Sequence, residues 1–120
     1  MILGPNVRTI CLPPSSVTFN SKICVASGYG DSNDFTINNN LKKLNLPLLV
    51  NFKCEGKLRD DPQATENFKL DNSLLCAGGI KGKDTCKGDG GSPLICSNKY
   101  YYQVGIVAYG FGCFQNHIPG

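Results

Sequence analysis

The sequence predicts an all-β chain in which short antiparallel strands form a barrel or a sandwich. Its 120 residues include 14 glycines and 7 prolines, and this many turn-forming residues favours short strands over long helices. With 41% hydrophobic and 18% charged residues, the chain has the composition of a domain that buries a core. Runs of apolar, β-branched and aromatic residues alternate with turn clusters, as expected for such a fold.

Five segments have the residue pattern of a strand and one has that of a helix. The strongest strand signal is the aromatic and β-branched run YYYQVGIVAY, whereas Pro47 within LKKLNLPLLV marks an edge or a bend. Asn51 is predicted to cap a short helix that extends to Arg59. The predicted strands are Ile23–Tyr29, Leu41–Val50, Leu74–Cys76, Pro93–Cys96 and Tyr100–Tyr109.

Charge and hydropathy argue against two classes of partner. The net charge is only +3 and the 12 basic residues are scattered, so the basic stripe of a nucleic-acid-binding protein is missing. No apolar run approaches the roughly 18 residues that span a membrane, and the first residues lack the basic and apolar regions of a signal peptide. We therefore expect neither a nucleic acid nor a membrane as partner.

Seven cysteines in 120 residues indicate disulfide bonds and hence a secreted, extracellular protein. The sequence has no Cys-x-x-Cys pair, and its single histidine, His117, has no cysteine at zinc-finger spacing. We therefore predict no metal and no cofactor. The odd count leaves one cysteine that is either free or bonded to a cysteine elsewhere.

Residues 76–96, CAGGIKGKDTCKGDGGSPLIC, resemble the active-site segment of trypsin-like (chymotrypsin-fold, S1 family) serine proteases. In that family a Cys and any one residue are followed by Gly-Asp-Ser-Gly-Gly-Pro-Leu. Other segments resemble, in order, the linker between the family's two barrels, the start of the second barrel, the pocket-lining strand and loop, and the run before the penultimate strand. These segments are ICLPP at 10–14, VASGYG at 25–30, GIVAYGFGC at 105–113 and NHIPG at 116–120.

The resemblance implies that residues 1–120 are a partial peptidase S1 domain. They would form its C-terminal barrel, a six-stranded antiparallel β-barrel with one short helix, incomplete at both ends, with residues 1–22 as the inter-barrel linker. It also implies three disulfides and leaves Cys11, whose counterpart in many family members bonds to a light chain or pro-segment. The implied pairs are Cys24–Cys96, Cys54–Cys76 and Cys86–Cys113.

The family's chemistry requires a serine nucleophile, a histidine base and a carboxylate that orients the histidine. In the family's chain order the last two would precede Met1, and we interpret His117 as a loop histidine. Aligned on Cys86, the nucleophile position is Gly90, and Ser92 falls two residues later. Because attack requires reacting atoms within about 3–3.5 Å in a set orientation, we expect Ser92 not to replace the nucleophile.

Other site positions match the family pattern. The N–H groups of Gly88 and Gly90 correspond to the oxyanion hole, which stabilises developing negative charge. Asp84 matches the carboxylate at the floor of a pocket for arginine or lysine, although it also fits a solvated turn residue beside Lys83. Gly110 and Gly120 match the small residues that keep this pocket open.

Three further positions bear on activation and catalysis. Asp89 matches the aspartate that pairs with the new N-terminus after zymogen cleavage, so its partner here is open. Ala108 stands where the family usually has a serine near the triad carboxylate, and Tyr109 where it usually has tryptophan. Both departures fit a site released from catalysis.

The run GKDTC followed by GDGGSPL is similar to the non-catalytic serine protease homologues of arthropods, which often carry clip domains. This implies an inactive, secreted protein that binds proteases or their zymogen targets, as a cofactor in an extracellular proteolytic or prophenoloxidase-type immune cascade. Cys11 would join it to the missing N-terminal barrel or a light chain. Two alternatives are a fragment of an active trypsin-like endopeptidase that uses Ser92, and a truncated product without independent function.

Overall fold

The computed structural model describes residues 2–19, 22–31, 40–114 and 117–120. Within them, five strands form one antiparallel sheet in the order β3-β2-β1-β4-β5, curled into a half-barrel. The predicted all-β class with one short helix is confirmed, and five strands of the expected barrel lie in the described residues. The elements are β1 (Ile23–Gly28), β2 (Lys42–Leu49), α1 (Asn51–Arg59), β3 (Cys76–Ala77), β4 (Pro93–Asn98) and β5 (Tyr100–Ile106).

Pro47 lies where β2 changes partner, which agrees with the predicted bend. Residues Lys42 to Pro47 pair with β1, and Leu48 and Leu49 pair with β3. The Pro47 carbonyl accepts a hydrogen bond from the Gly78 N–H at 2.9 Å. A proline is tolerated here because it is the last residue of β2 that pairs with β1, and it lies just before the two residues that pair with β3.

The helix has the predicted bounds, but the predicted cap is wrong. The residue at the N-cap position is Val50, in extended conformation and without a side-chain hydrogen bond to the helix. Asn51 is the first helical residue, and its side-chain amide nitrogen, Nδ2, donates a hydrogen bond to the Leu74 carbonyl at 3.2 Å. Its side chain thus connects the helix to the segment before β3. The prediction from the sequence missed this partner because the Leu74 carbonyl is close in space but distant in sequence.

Alternating residues of the central strands form the main core. Within each strand, buried residues alternate with less buried ones. The buried ones are Cys24 and Ala26 of β1, Leu46 and Leu48 of β2, and Leu94 and Cys96 of β4. This period of two is the signature of a sheet with one covered face. The core therefore lies on the inner face of the half-barrel, beside which the site loops are anchored.

The described residues, which include all seven cysteines, form three disulfides, the pairs that the family resemblance implies: Cys24–Cys96, Cys54–Cys76 and Cys86–Cys113. The first joins directly opposite residues of β1 and β4, and the second joins α1 to β3. The third joins the glycine-rich loop to the loop after β5, so it connects two walls of the candidate site. Each such bond typically contributes about 2–4 kcal/mol to stability.

Cys11 is exposed and unpaired within the chain. Its carbonyl accepts a hydrogen bond from the Gln103 N–H at 3.0 Å, so the N-terminal segment lies along the edge of β5. Among the described residues, no helix has the length and apolarity required to cross a membrane.

Candidate functional site

The glycine-rich loop between Cys86 and β4 consists of two consecutive tight turns. The Asp89 N–H donates to the Cys86 carbonyl at 3.0 Å, and the Ser92 N–H donates to the Asp89 carbonyl at 2.9 Å. Gly88 and Gly91 have φ values of +89° and +85°, in the region that residues with a side chain rarely adopt. These two glycines are therefore required by the backbone of the loop.

The Asp89 carboxylate holds the loop against the end of β1. One oxygen accepts a hydrogen bond from the Gly30 N–H at 2.8 Å, and the other accepts one from the Cys86 N–H at 3.0 Å. A Cβ atom at Gly28 or Gly30 would overlap this carboxylate, so both glycines make room for it. The resemblance left the partner of Asp89 open, and the structure shows two main-chain donors.

Lys42 of β2 adds a contact behind this carboxylate. Its ammonium group donates a hydrogen bond to the Gly30 carbonyl. Gly30 therefore uses its N–H to bind Asp89 and its carbonyl to bind Lys42. The Asp31 N–H also donates to the Lys87 carbonyl at 2.8 Å. The loop is thus connected to the 28–31 segment at several points.

A cavity of about 380 Å³ lies on the opposite side of the loop. The site positions predicted from the sequence, which are far apart along the chain, all line it. These are Asp84, Gly88, Gly90, Gly110 and Gly120, joined by Ala108 and Tyr109. Asp84 is partly buried, so the structure places it in the wall of a cavity and not in a fully solvated turn.

The two candidate nucleophile positions, Gly90 and Ser92, have different surroundings. Gly90 lines the cavity and its φ is not in the left-handed region. Apart from its two neighbours in the chain, no described residue has an atom within 4 Å of where its Cβ would be. Ser92 does not line the cavity. Its hydroxyl oxygen lies against β1, 2.9 Å from the position of a Cβ built on Gly28.

Gly110 and Gly120 form the wall next to the Asp84 carboxylate. A Cβ on Gly120 would lie 3.1 Å from an Asp84 oxygen, and a Cβ on Gly110 would lie 3.3 Å from the Gly120 Cα. Gly120 is held by reciprocal hydrogen bonds with Ala77 at 3.0 and 3.1 Å. A side chain at either glycine would therefore narrow the cavity at its charged end.

Burial raises the pKa of Asp84 to about 6, against smaller opposing contributions from the backbone N–H groups of Phe114 and Thr85. The carboxylate is still predominantly ionised at neutral pH. Among the described residues Asp84 forms no salt bridge, and a negative charge that has lost part of its hydration favours a positively charged ligand.

Lys87 also lines the cavity, and sequence reasoning did not single it out. An exposed lysine in a loop has no distinguishing residue pattern. The one clue in the sequence that Lys87 lies at the cavity is its position between Cys86 and Gly88. His117, in contrast, is exposed and does not line the cavity. Its carbonyl accepts a hydrogen bond from the Lys57 ammonium at 3.2 Å, in keeping with a loop histidine.

Comparison with known proteins shows one family along the whole chain. The Trypsin family model matches residues 1–120. Phenoloxidase-activating factor 2 of Galleria mellonella is 40% identical over 128 residues, which cover 100% of this chain and 42% of that protein.

Two further relatives are described as inactive. Inactive CLIP domain-containing serine protease A8 of Anopheles gambiae is 37% identical, over 100% of this chain and 34% of its own length. Inactive CLIP domain-containing serine protease A3 of Aedes aegypti is 42% identical, over 97% of this chain and 25% of its own. The chain thus spans less than half the length of these relatives.

Proposed function

Since this chain belongs to the trypsin family, we propose that it is part of a catalytically inactive serine protease homologue that acts by binding other proteins. The observation that carries the proposal is the pair of positions Gly90 and Ser92. Gly90 stands at the cavity with open space beside it, and the hydroxyl of Ser92 lies against β1.

Loss of the nucleophile is sufficient for inactivity. Removing the serine from a comparable triad lowers turnover on the order of 10⁶-fold. Ser92 is held in place by its backbone, because its N–H donates to Asp89 and its carbonyl accepts from the Val107 N–H at 2.8 Å. Moving the backbone so that residue 92 faces the cavity would break the hydrogen bond between the loop and the residue following β5.

The rest of the site supports a binding role. Asp84 lines the cavity beside Gly110 and Gly120, which leave space in front of its carboxylate. A lysine or arginine side chain of a protein partner fits this arrangement. Several relatives are named as inactive proteases and one as a phenoloxidase-activating factor. We infer an extracellular cofactor in a proteolytic cascade of the prophenoloxidase type, with proteases or their zymogens as partners.

Cys11 supports attachment to another part of the assembly. It is exposed and free within the chain, and its main chain is fixed to β5. A thiol presented on a fixed segment is suited to a disulfide with an N-terminal barrel or a light chain. Non-reducing electrophoresis of the secreted full-length protein, with Cys11→Ser as the comparison, tests this link.

The test of inactivity uses the full-length protein that contains this chain. We expect no hydrolysis of arginyl or lysyl peptide substrates and no labelling by a serine-directed phosphonate. The matched control is the double variant Gly90→Ser with Ser92→Gly, which restores the family motif at positions with room for it. Hydrolysis by the natural protein, with the phosphonate attached to Ser92, would contradict the proposal and indicate an active endopeptidase.

A further inference from the structure

We propose that four lysines outside the cavity form a basic surface that binds an acidic segment of a protein partner. Two of them belong to α1 and two to the tight turn at 80–83. They are Lys53, Lys57, Lys81 and Lys83, and we call them the lysine surface. None of them lines the cavity. The inference rests on the proposed function for the class of partner, a protein, and adds a second place of contact.

Helix α1 presents Lys53 and Lys57 in nearly the same direction, because they are four residues apart. Lys53 is exposed and Lys57 is half-buried, whereas Cys54 and Leu58, on the neighbouring side of the helix, are buried. Two like charges at this spacing repel each other and destabilise a helix. A carboxylate bound between the two ammonium groups would remove this repulsion.

The turn that carries the other two lysines lies beside Lys57. The Lys57 ammonium donates a hydrogen bond to the His117 carbonyl at 3.2 Å. The same carbonyl oxygen lies 3.4 Å from the position of a Cβ built on Gly79, the residue directly before the turn at 80–83. A hydrogen bond of 3.0 Å between its first and last residues closes the turn, and both of its lysines are exposed. Helix and turn, distant in sequence, therefore contribute to one surface.

The acidic residues closest in sequence to these lysines leave most of the positive charge uncompensated. Glu55 forms a salt bridge with Arg59 at 2.6 Å, and Asp84 lines the cavity. Asp60 is exposed at the C-cap of α1, one acid against four lysines. None of the four lysines forms a salt bridge with another residue that the structure describes. The surface is therefore open to carboxylates of a partner.

The kind and number of charges favour a protein as the source of these carboxylates. The lysine ammonium is a compact point charge, whereas arginine matches phosphate and similar anions with two parallel hydrogen bonds. The surface contains lysine alone, and the net charge of the chain is only +3, too little for the basic stripe that binds a nucleic acid. Exposed charges of this kind increase the association rate and the selectivity for a partner more than the affinity.

Fluorescence anisotropy of a labelled oligoglutamate peptide, titrated with the full-length protein that contains this chain, tests the surface. An oligoglutamine peptide of the same length and label is the uncharged control. We expect saturable binding of oligoglutamate alone. The affinity should fall by about fivefold when the salt concentration rises from about 50 to about 200 mM, because salt screens interactions between exposed charges.

Variants assign the binding to the two elements of the surface. Lys53→Gln and Lys81→Gln should each weaken oligoglutamate binding by about threefold, the range of a single exposed ion pair. The double variant should weaken it by about tenfold, since effects of separate sites add. The matched control is Lys43→Gln with Lys99→Gln, which removes the same charge at two exposed lysines outside the surface. It should change the affinity by less than about twofold.

Three results would overturn the inference. An equal loss in the test and control double variants would show that the peptide responds to net charge alone. A loss from only one of the two elements would separate the helix from the turn. Binding of dextran sulfate without binding of oligoglutamate would assign the surface to a sulfated polysaccharide. Each of them leaves the expected inactivity in place, because phosphonate labelling tests that separately.

Discussion

The two sides of the glycine-rich loop differ in how strongly the surrounding structure constrains them. On the side facing β1, the Asp89 carboxylate fills the space left by Gly28 and Gly30 and accepts two main-chain hydrogen bonds. On the side facing the cavity, a Cβ added to Gly90 would meet no described residue other than its neighbours in the chain. The first side therefore contributes to the stability of the fold, whereas the second tolerates change.

The largest effect expected from this comparison is that of Asp89→Ala. The substitution removes two hydrogen bonds to a charged acceptor and leaves the Gly30 and Cys86 N–H groups without a partner. At about 1.5 kcal/mol or more for each such bond, we expect the free energy of unfolding to fall by about 3 kcal/mol. Urea denaturation followed by circular dichroism measures it, and a loss below 0.5 kcal/mol, roughly the scatter of surface substitutions, would argue against the anchoring role.

Gly30→Ala tests the space that the same carboxylate occupies. The new Cβ would lie 2.5 Å from the Asp89 Cγ, so the carboxylate or the 28–31 segment must move. Overpacking of this kind costs about 1–3 kcal/mol. Gly56→Ala is the matched control, because its Cβ would meet no described residue outside its own helical turn within 4 Å. Alanine in a helix is also more favourable than glycine by about 1 kcal/mol.

Gly88→Ala and Gly90→Ala compare two glycines of the same loop, one in each of its two turns. Alanine at Gly88, with its φ of +89°, should destabilise the protein by about 1–2 kcal/mol. Alanine at Gly90 should change stability by no more than about 0.5 kcal/mol. Thermal unfolding of the two variants side by side decides the point, and a cost at Gly90 equal to that at Gly88 would remove the distinction between the two sides.

The smallest effect concerns the pH dependence contributed by Asp84. Its pKa is raised from 3.8 to about 6, so the penalty for burying the charge is fully present above pH 6 and disappears as the pH falls toward 3.8. Relative to Asp84→Asn, the natural protein should therefore gain stability as the pH falls through this window.

Binding of a basic peptide should change in the opposite direction, weakening as Asp84 is protonated below about pH 6. Unfolding and peptide titrations at pH 7.5, 6 and 4.5 provide both measurements. If the variant and the natural protein show the same pH dependence, the Asp84 carboxylate is not the titrating group.

Most elements of the fold were predictable from local patterns. The strand predicted at Ile23–Tyr29 is observed as Ile23–Gly28, and the helix to Arg59 has the expected bounds. The predicted strand at Leu74–Cys76 begins later, at Cys76, since only Cys76 and Ala77 pair with β2. The sequence predicts a local partner for the Asn51 side chain, whereas its observed partner is the carbonyl of Leu74, 23 residues away in sequence.

What the sequence by itself determined are features that depend on neighbouring residues and composition: short strands from alternating apolar residues, and tight turns from glycines such as Gly88 and Gly91. The family motif placed Gly90 at the nucleophile position. Only the tertiary structure decided that Ser92 lies against β1, that Asp89 faces Gly30, and that Lys87 lines the cavity. The direction in which a loop side chain points depends on packing between distant segments, and no local pattern encodes that.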